Sequence, residues 1–240
     1  MAAIVLVHGA WQGAWCWERV VPLLQAAGHV VVTPTLTGSG VRSAELSAAV
    51  TLADHVDDVA GELVGRDLRD VVLVGHSYAG MVITGVAEKA FDRLAALLFV
   101  DAFYPAHGES ALDQMTTASQ QMWRQRAAQE GDGWRLPASD GLLDIWGLHD
   151  PGLRQWVRPR LTDWSLNCFT SPVDAPAMRR GKLPRRYVSG NGDRYPAKAT
   201  FGPIADKAEA DGCPVSQLNA GHDLMIEAPN DLAALILAFP

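Results

Sequence analysis

The chain has 240 residues, a formal net charge of −7 and a sequence pI near 5.4, a balance that disfavours nucleic acid or an anionic membrane as partner. Its hydrophobic content of 48% against 20% charged residues fits a packed core and excludes a disordered chain. No apolar run approaches the ~20 residues of a membrane span, Ala2 to Val7 is too short for a signal-peptide core, and Cys16, Cys168 and Cys213 lack metal-ligand spacing, so the expectation is a cytoplasmic protein with free thiols and no metal.

Ile4 to Val7 is a short apolar run that reads as a buried strand and ends in His8-Gly9-Ala10-Trp11. Trp15 to Ala27 carries Trp17, Val20, Val21, Leu23 and Leu24 at near-helical spacing and stops at Gly28. His29 to Thr33 is a second strand, closed by Pro34, and a polar loop holding Gly38 and Gly40 follows. Thr51 to Gly65 predicts a helix with Leu52, Val56, Val59 and Leu63 on one face. Val71 to Val74 is a third strand, Met81 to Ala87 continues as a packed helix, and Leu94 to Val100 is a fourth strand ending at Asp101. Strands alternating with helices of this length imply right-handed crossovers and a parallel sheet.

That rhythm breaks between about Pro105 and Leu183, where no clear strand is legible and five of the eight tryptophans fall: Trp123, Trp134, Trp146, Trp156 and Trp164. It resumes with a strand over Arg185 to Ser189, a helix around Ile204 to Ala210, a last strand near Pro214 to Leu218 and a helix from Asn230 to Phe239. The expected organisation is therefore a core of residues 1–104 and 184–240, one mostly parallel sheet of about six strands with helices on both faces. Residues 105–183 form a helical cap inserted between two of its strands. Cap aromatics can line an apolar cavity, although most of them also serve as the cap's own core. The cluster Arg179, Arg180, Lys182, Arg185 and Arg186 reads as a solvated surface.

The chemistry is concentrated at Gly75-His76-Ser77-Tyr78-Ala79-Gly80, between a strand and a helix. This is the context of the G-x-S-x-G elbow, in which a sharp strand-to-helix turn lifts a serine hydroxyl above the sheet edge. Ser77 is the candidate nucleophile. Ala79 stands where the motif has its last glycine, and alanine tolerates positive φ less well. A serine hydroxyl needs a base, and among seven histidines His222 is the candidate, because it follows the last strand and Gly221. His76 adjoins Ser77 but points elsewhere, His8 reads as support for the loop after the first strand, and His29, His55, His107 and His149 read as surface or packing residues. The acid is Asp193, in the loop after a late strand and between Ser77 and His222 in chain order, with Asp101 as the alternative. Backbone amides of Tyr78 and Ala10 are the expected oxyanion donors, with Gly9 giving the loop room to turn. Gly9, Trp11, Trp123, Trp146 and Trp164 are the expected pocket residues.

Val5 to Trp17, with His8-Gly9-Ala10-Trp11-Gln12-Gly13-Ala14-Trp15, resembles the opening of the plant methylesterase and hydroxynitrile lyase group of the α/β-hydrolase superfamily. Thr33 to Gly38, Gly75 to Tyr78, Asp101 to Pro105 and Gly221 to Met225 bring it nearer to the bacterial carboxylesterases of that group, among them pyrethroid hydrolases. The resemblance covers nearly the whole chain and is weakest through the cap. It implies the α/β-hydrolase fold and a cofactor-free serine hydrolase acting on small apolar esters with bulky groups. Hydroxynitrile lyases of the group carry threonine in place of Gly9 and lysine in place of Asp223, so ester cleavage is favoured over cyanohydrin cleavage. The rival expectations are a lyase or cyclase using His222 as base, and a ligand-binding protein with a relict triad. A homodimer stays open.

Overall fold

The computed structural model describes residues 2–192 and 195–239. β1 (Ala3–Val7) leads through a 3₁₀ turn, Ala14–Trp17, to α1 (Val21–Ala26) and β2 (Val30–Val32). The helical spacing from Trp15 to Ala27 thus belongs to two pieces. Pro22 explains the break: it lacks an N–H and suits a helix's first turn, where it stands in α1. α2 (Leu52–Gly65) starts at a capping box, with Asp54 accepting from the Thr51 amide at 2.8 Å. β3 (Val71–His76), α3 (Ala79–Lys89) and β4 (Leu94–Val100) follow.

Between β4 and the next core strand lie α4 (Thr117–Glu130), β5 (Arg135–Leu136), α5 (Asp140–Trp146), α6 (Pro151–Val157), β6 (Trp164–Ser165) and α7 (Leu166–Thr170). β5 and β6 pair antiparallel, Leu136 opposite Trp164, a sheet the sequence did not reveal because two-residue strands are too short to show alternation. The core resumes with β7 (Arg185–Gly190), α8 (Lys198–Ala210), β8 (Val215–Leu218), α9 (Leu224–Glu227) and α10 (Pro229–Leu237).

The main sheet has the order β2-β1-β3-β4-β7-β8 and is parallel throughout. β3 is buried at every position, as its Val-Val-Leu-Val run demands of a strand covered on both faces. β2 lies at an edge and is shorter than its apolar run, with Val30 exposed. Right-handed crossovers run one way from β1 to β2 and the other way from β2 onward, to β3 and β4. They set α1, which packs on α10, on one face and the contacting pair α2 and α3 on the other. The direction reverses beside β1 and β3, so the loops leaving these two strands meet at the carboxyl edge of the sheet, where such folds bind ligands.

Arg180 departs from the solvated surface expected of its cluster. It is buried, donates to the Pro105 carbonyl at 3.2 Å and to Asp211 at 3.0 Å, and lies over the Tyr104 ring. It pins the chain between α7 and β7 against the turn after β4 and the end of α8.

Candidate active site

Ser77 leaves β3 with φ +55, a left-handed conformation that costs a non-glycine residue about 1–3 kcal/mol. Its neighbours hold it there: the Ser77 amide donates to the Val100 carbonyl at 3.1 Å, and the Ser77 carbonyl accepts from Phe103 at 3.1 Å. The close approaches fall on the two glycines. A Cβ at Gly75 would sit 2.8 Å from the Ala79 carbonyl oxygen, and one at Gly80 would sit 1.9 Å from that of Phe103. Ala79 itself begins α3 with helical backbone, so the position that departs from the motif carries no strain.

His222 reaches Ser77 from the loop after β8, with Nε2 2.9 Å from Ser77 Oγ. Its Nδ1 lies 2.6 Å from Asp101 Oδ2. Chain order put Asp193 ahead of Asp101; Asp193 lies outside the described residues, and among those described it is Asp101 that meets His222. The reason is strand adjacency. β4 is hydrogen-bonded to β3, Val100 pairs with His76, and Asp101 turns at φ +42 straight after the strand, one strand from Ser77. The carboxylate accepts from the Gly190 amide at 3.2 Å and from the Tyr195 hydroxyl, as well as facing His222 Nδ1. Burial pushes the Asp101 pKa well above its ordinary 3.8; all three partners can donate, which opposes that shift and favours the Nδ1–H tautomer of His222. Burial pushes the His222 pKa down, so the resting imidazole is neutral and its Nε2 lone pair can take a proton.

The loop after β1 supplies the opposite wall. Leu36 N–H donates to His8 Nε2 at 3.1 Å, so His8 Nδ1 carries the proton it gives to the Gly9 carbonyl at 2.8 Å. A trans peptide points its C=O and N–H in opposite directions. Holding the Gly9 carbonyl therefore aims the Ala10 N–H the other way. Gly9 lies against the serine: a Cβ there would be 2.8 Å from the Ser77 Cβ. Neither the Ala10 amide nor the Tyr78 amide has a backbone acceptor among the described residues, which leaves both available to a developing oxyanion. His55, read from sequence as packing, orients one of them. It is buried, bonds the Thr37 carbonyl at 2.9 Å and the Tyr78 hydroxyl at 3.0 Å, and so anchors the residue after Ser77.

Above Ser77 and His222 is a cavity of about 220 Å³ walled by Trp11, Phe103, Trp123, Trp146, Phe169 and Phe201. Phe201 stacks on the His222 ring at 4.6 Å. Of the expected pocket residues, Trp11, Trp123 and Trp146 line the wall. Gly9 and Trp164 do not: Gly9 is covered by Ser77, and Trp164 packs behind, its ring 4.8 Å from Tyr78 and 6.4 Å from Trp11. Larger hollows exist, including one of about 510 Å³ between α2, α3 and the chain after α7, but neither Ser77 nor His222 lines them. No group of His, Cys, Asp and Glu able to hold a metal occurs among the described residues, nor is any helix long and apolar enough to cross a membrane.

A family model described as the alpha/beta hydrolase family matches residues 4–235. The chain belongs to this family. Among curated relatives of this alpha/beta hydrolase, a carbendazim hydrolyzing esterase from Nocardioides sp. (strain SG-4G) is 36% identical across 99% of each chain. Methylesterase 7 of Arabidopsis thaliana is 30% identical across 97% of this chain and 94% of its own. Such full-length likeness to esterases marks this alpha/beta hydrolase as a carboxylesterase-type hydrolase. The fold is shared with an extracellular hydrolase from a Paenibacillus species (TM-score 0.84, 23% identity, 99% and 98% coverage). It is shared also with a pyrethroid hydrolase from Sphingobium faniae JZ-2 (TM-score 0.77, 23% identity, 98% and 96% coverage).

Proposed function

We propose that this alpha/beta hydrolase cleaves carboxylic esters bearing a compact, bulky apolar group, through an acyl-enzyme on Ser77. The observation that carries the reading is the unbroken line from Ser77 Oγ through His222 to Asp101, at 2.9 and 2.6 Å. Ser77 Oγ attacks the ester carbonyl carbon while His222 Nε2 takes its proton. The C–O bond breaks, and the alcohol leaves with that proton. Water then adds to the acyl carbon, giving a proton to His222, which returns it to Ser77 as the acid departs. Asp101 holds the imidazole in the required tautomer and stabilises the imidazolium. The Ala10 and Tyr78 amides stabilise the oxyanion, each typically worth about 3 kcal/mol.

The aromatic walls favour ring-bearing or branched apolar groups, and the small volume disfavours long acyl chains. Carbendazim, named for one relative, and pyrethroids, named for a structural neighbour, are therefore natural members of a test panel. The panel should grade esters by acyl and alcohol size. The expected result is hydrolysis concentrated in compact apolar esters and abolished in Ser77→Ala. Turnover surviving in pure Ser77→Ala would remove the serine mechanism and favour a lyase using His222 as base. Tight binding with no turnover would favour a ligand-binding role.

A further inference from the structure

Asp223 is a fully buried carboxylate that the reaction above does not use. It follows the base in sequence, yet it is absent from the cavity wall. Its Oδ1 accepts from Gln12 Nε2 at 2.7 Å, across 211 residues of chain. Gln12 is 1% exposed and directly follows Trp11, which holds φ +61 although it is not glycine. A strained residue keeps such a conformation only when its surroundings over-determine it. On one side they do: the Thr162 amide donates to the Trp11 carbonyl at 2.9 Å, and the Trp11 indole donates to the Leu136 carbonyl at 3.0 Å. On the other side the only side-chain tether from this loop to the base loop is the Gln12–Asp223 bond, among the described residues.

We infer that Gln12 and Asp223 form a positioning strut that fixes the oxyanion loop at Ala10 and Trp11 relative to the base, His222. The His222 loop is otherwise tied to β3 and to α5, by His76 Nε2 donating to the His222 carbonyl at 2.9 Å and the His222 amide donating to the Trp146 carbonyl at 2.8 Å. His76 and Trp146 meet the oxyanion loop by packing alone, His76 against Gly9 and the Trp146 ring 6.3 Å from that of Trp11, with no hydrogen bond to it among the described residues. Without the strut, the Ala10 amide and the imidazole are related only by packing, which fixes distance less sharply than a buried hydrogen bond, and a misplacement of about 1 Å at reacting atoms can cost about a hundredfold. The inference rests on the Ser77–His222 reading.

The test is a double-mutant cycle with Gln12→Met and Asp223→Leu, plus Asp223→Asn, whose amide oxygen still accepts from Gln12. Rates on a chromogenic short-chain ester are expressed per active site titrated with an organophosphonate, so that misfolded protein does not count. Gln12→Met and Asp223→Leu should each lower kcat about tenfold to a hundredfold with KM changed less than about twofold. The double variant should be no worse than the poorer single, because the two act as a unit. Asp223→Asn should retain kcat within about threefold. Additive losses, an Asp223→Asn variant as poor as Asp223→Leu, or normal kcat in Gln12→Met would each overturn the strut. If Asp223→Leu yields no folded enzyme, Gln12→Met and Asp223→Asn still decide. An active Ser77→Ala control would instead overturn the reading beneath it.

Discussion

Asp101 and Asp223 are both buried carboxylates near one histidine, and their surroundings divide their roles. Asp101 faces three donors, the Gly190 amide, the Tyr195 hydroxyl and His222 Nδ1, which offset the burial that pushes its pKa up and suit a carboxylate that orients the base. Asp101→Asn should therefore cost on the order of 10⁴ in kcat, as loss of the correct imidazole tautomer does elsewhere. Asp193→Asn should stay within about tenfold, and steady-state kinetics with the opposite ranking would return the acid to Asp193. Among the described residues Asp223 has one donor and its Oδ2 has no partner, and burial with the nearby Asp101 charge pushes its pKa up to about 7. Between its ordinary 3.8 and about 7 it is ionised in the unfolded chain but protonated in the fold, so folding stability falls as pH rises through that window. Asp223→Asn removes this loss. The variant should exceed the parent by about 2–4 kcal/mol at pH 8 and match it near pH 4 in urea denaturation. An equal gain at both values would contradict the assignment. Ser77 and His222 were legible because motif and chain position single them out. The rank of Asp101 was not, since it depends on which strand lies beside β3, and the Gln12–Asp223 pairing joins residues that no local spacing connects.

The elbow, as an element, tolerates change unevenly. α3 begins at Ala79 with helical backbone, so restoring the motif's glycine there should leave activity within about twofold and cost about 1 kcal/mol of stability through helix propensity. Gly80→Ala drives a methyl to 1.9 Å from the Phe103 carbonyl oxygen, backbone that cannot swing aside. Its cost should exceed the ~1–3 kcal/mol usual for overpacking, and thermal unfolding of the two variants checks the contrast. A small final residue could be read from the motif, but which of two neighbours meets the Phe103 backbone depends on how β4 and the following turn pack over the helix start. The same limit applied to Arg180. Its charged cluster looked solvated until Tyr104, Pro105 and Asp211 closed around it.

At the scale of the whole molecule, the alternation of strands and helices already implied one parallel sheet, and the apolar runs ordered its buried strands. What lies over Ser77 comes from the segment between β4 and β7, where helices of weak amphipathicity and two-residue strands leave little periodic signal. The cavity there is walled by Trp11, Phe103 and Phe201 together with Trp123, Trp146 and Phe169 from that segment. Trp123→Ala should thus enlarge the site without touching the triad, raising the kcat/KM ratio of a bulky ester over a small one by about tenfold. An unchanged ratio would place substrate elsewhere. The central claim is the covalent step at Ser77, and the most direct measurement is intact-mass and peptide mapping after reaction with an organophosphonate. One adduct per chain, on Ser77, with activity lost in proportion and no adduct in Ser77→Ala, is the predicted result. Full turnover by labelled enzyme, or an adduct on another residue that tracks inactivation, would contradict it.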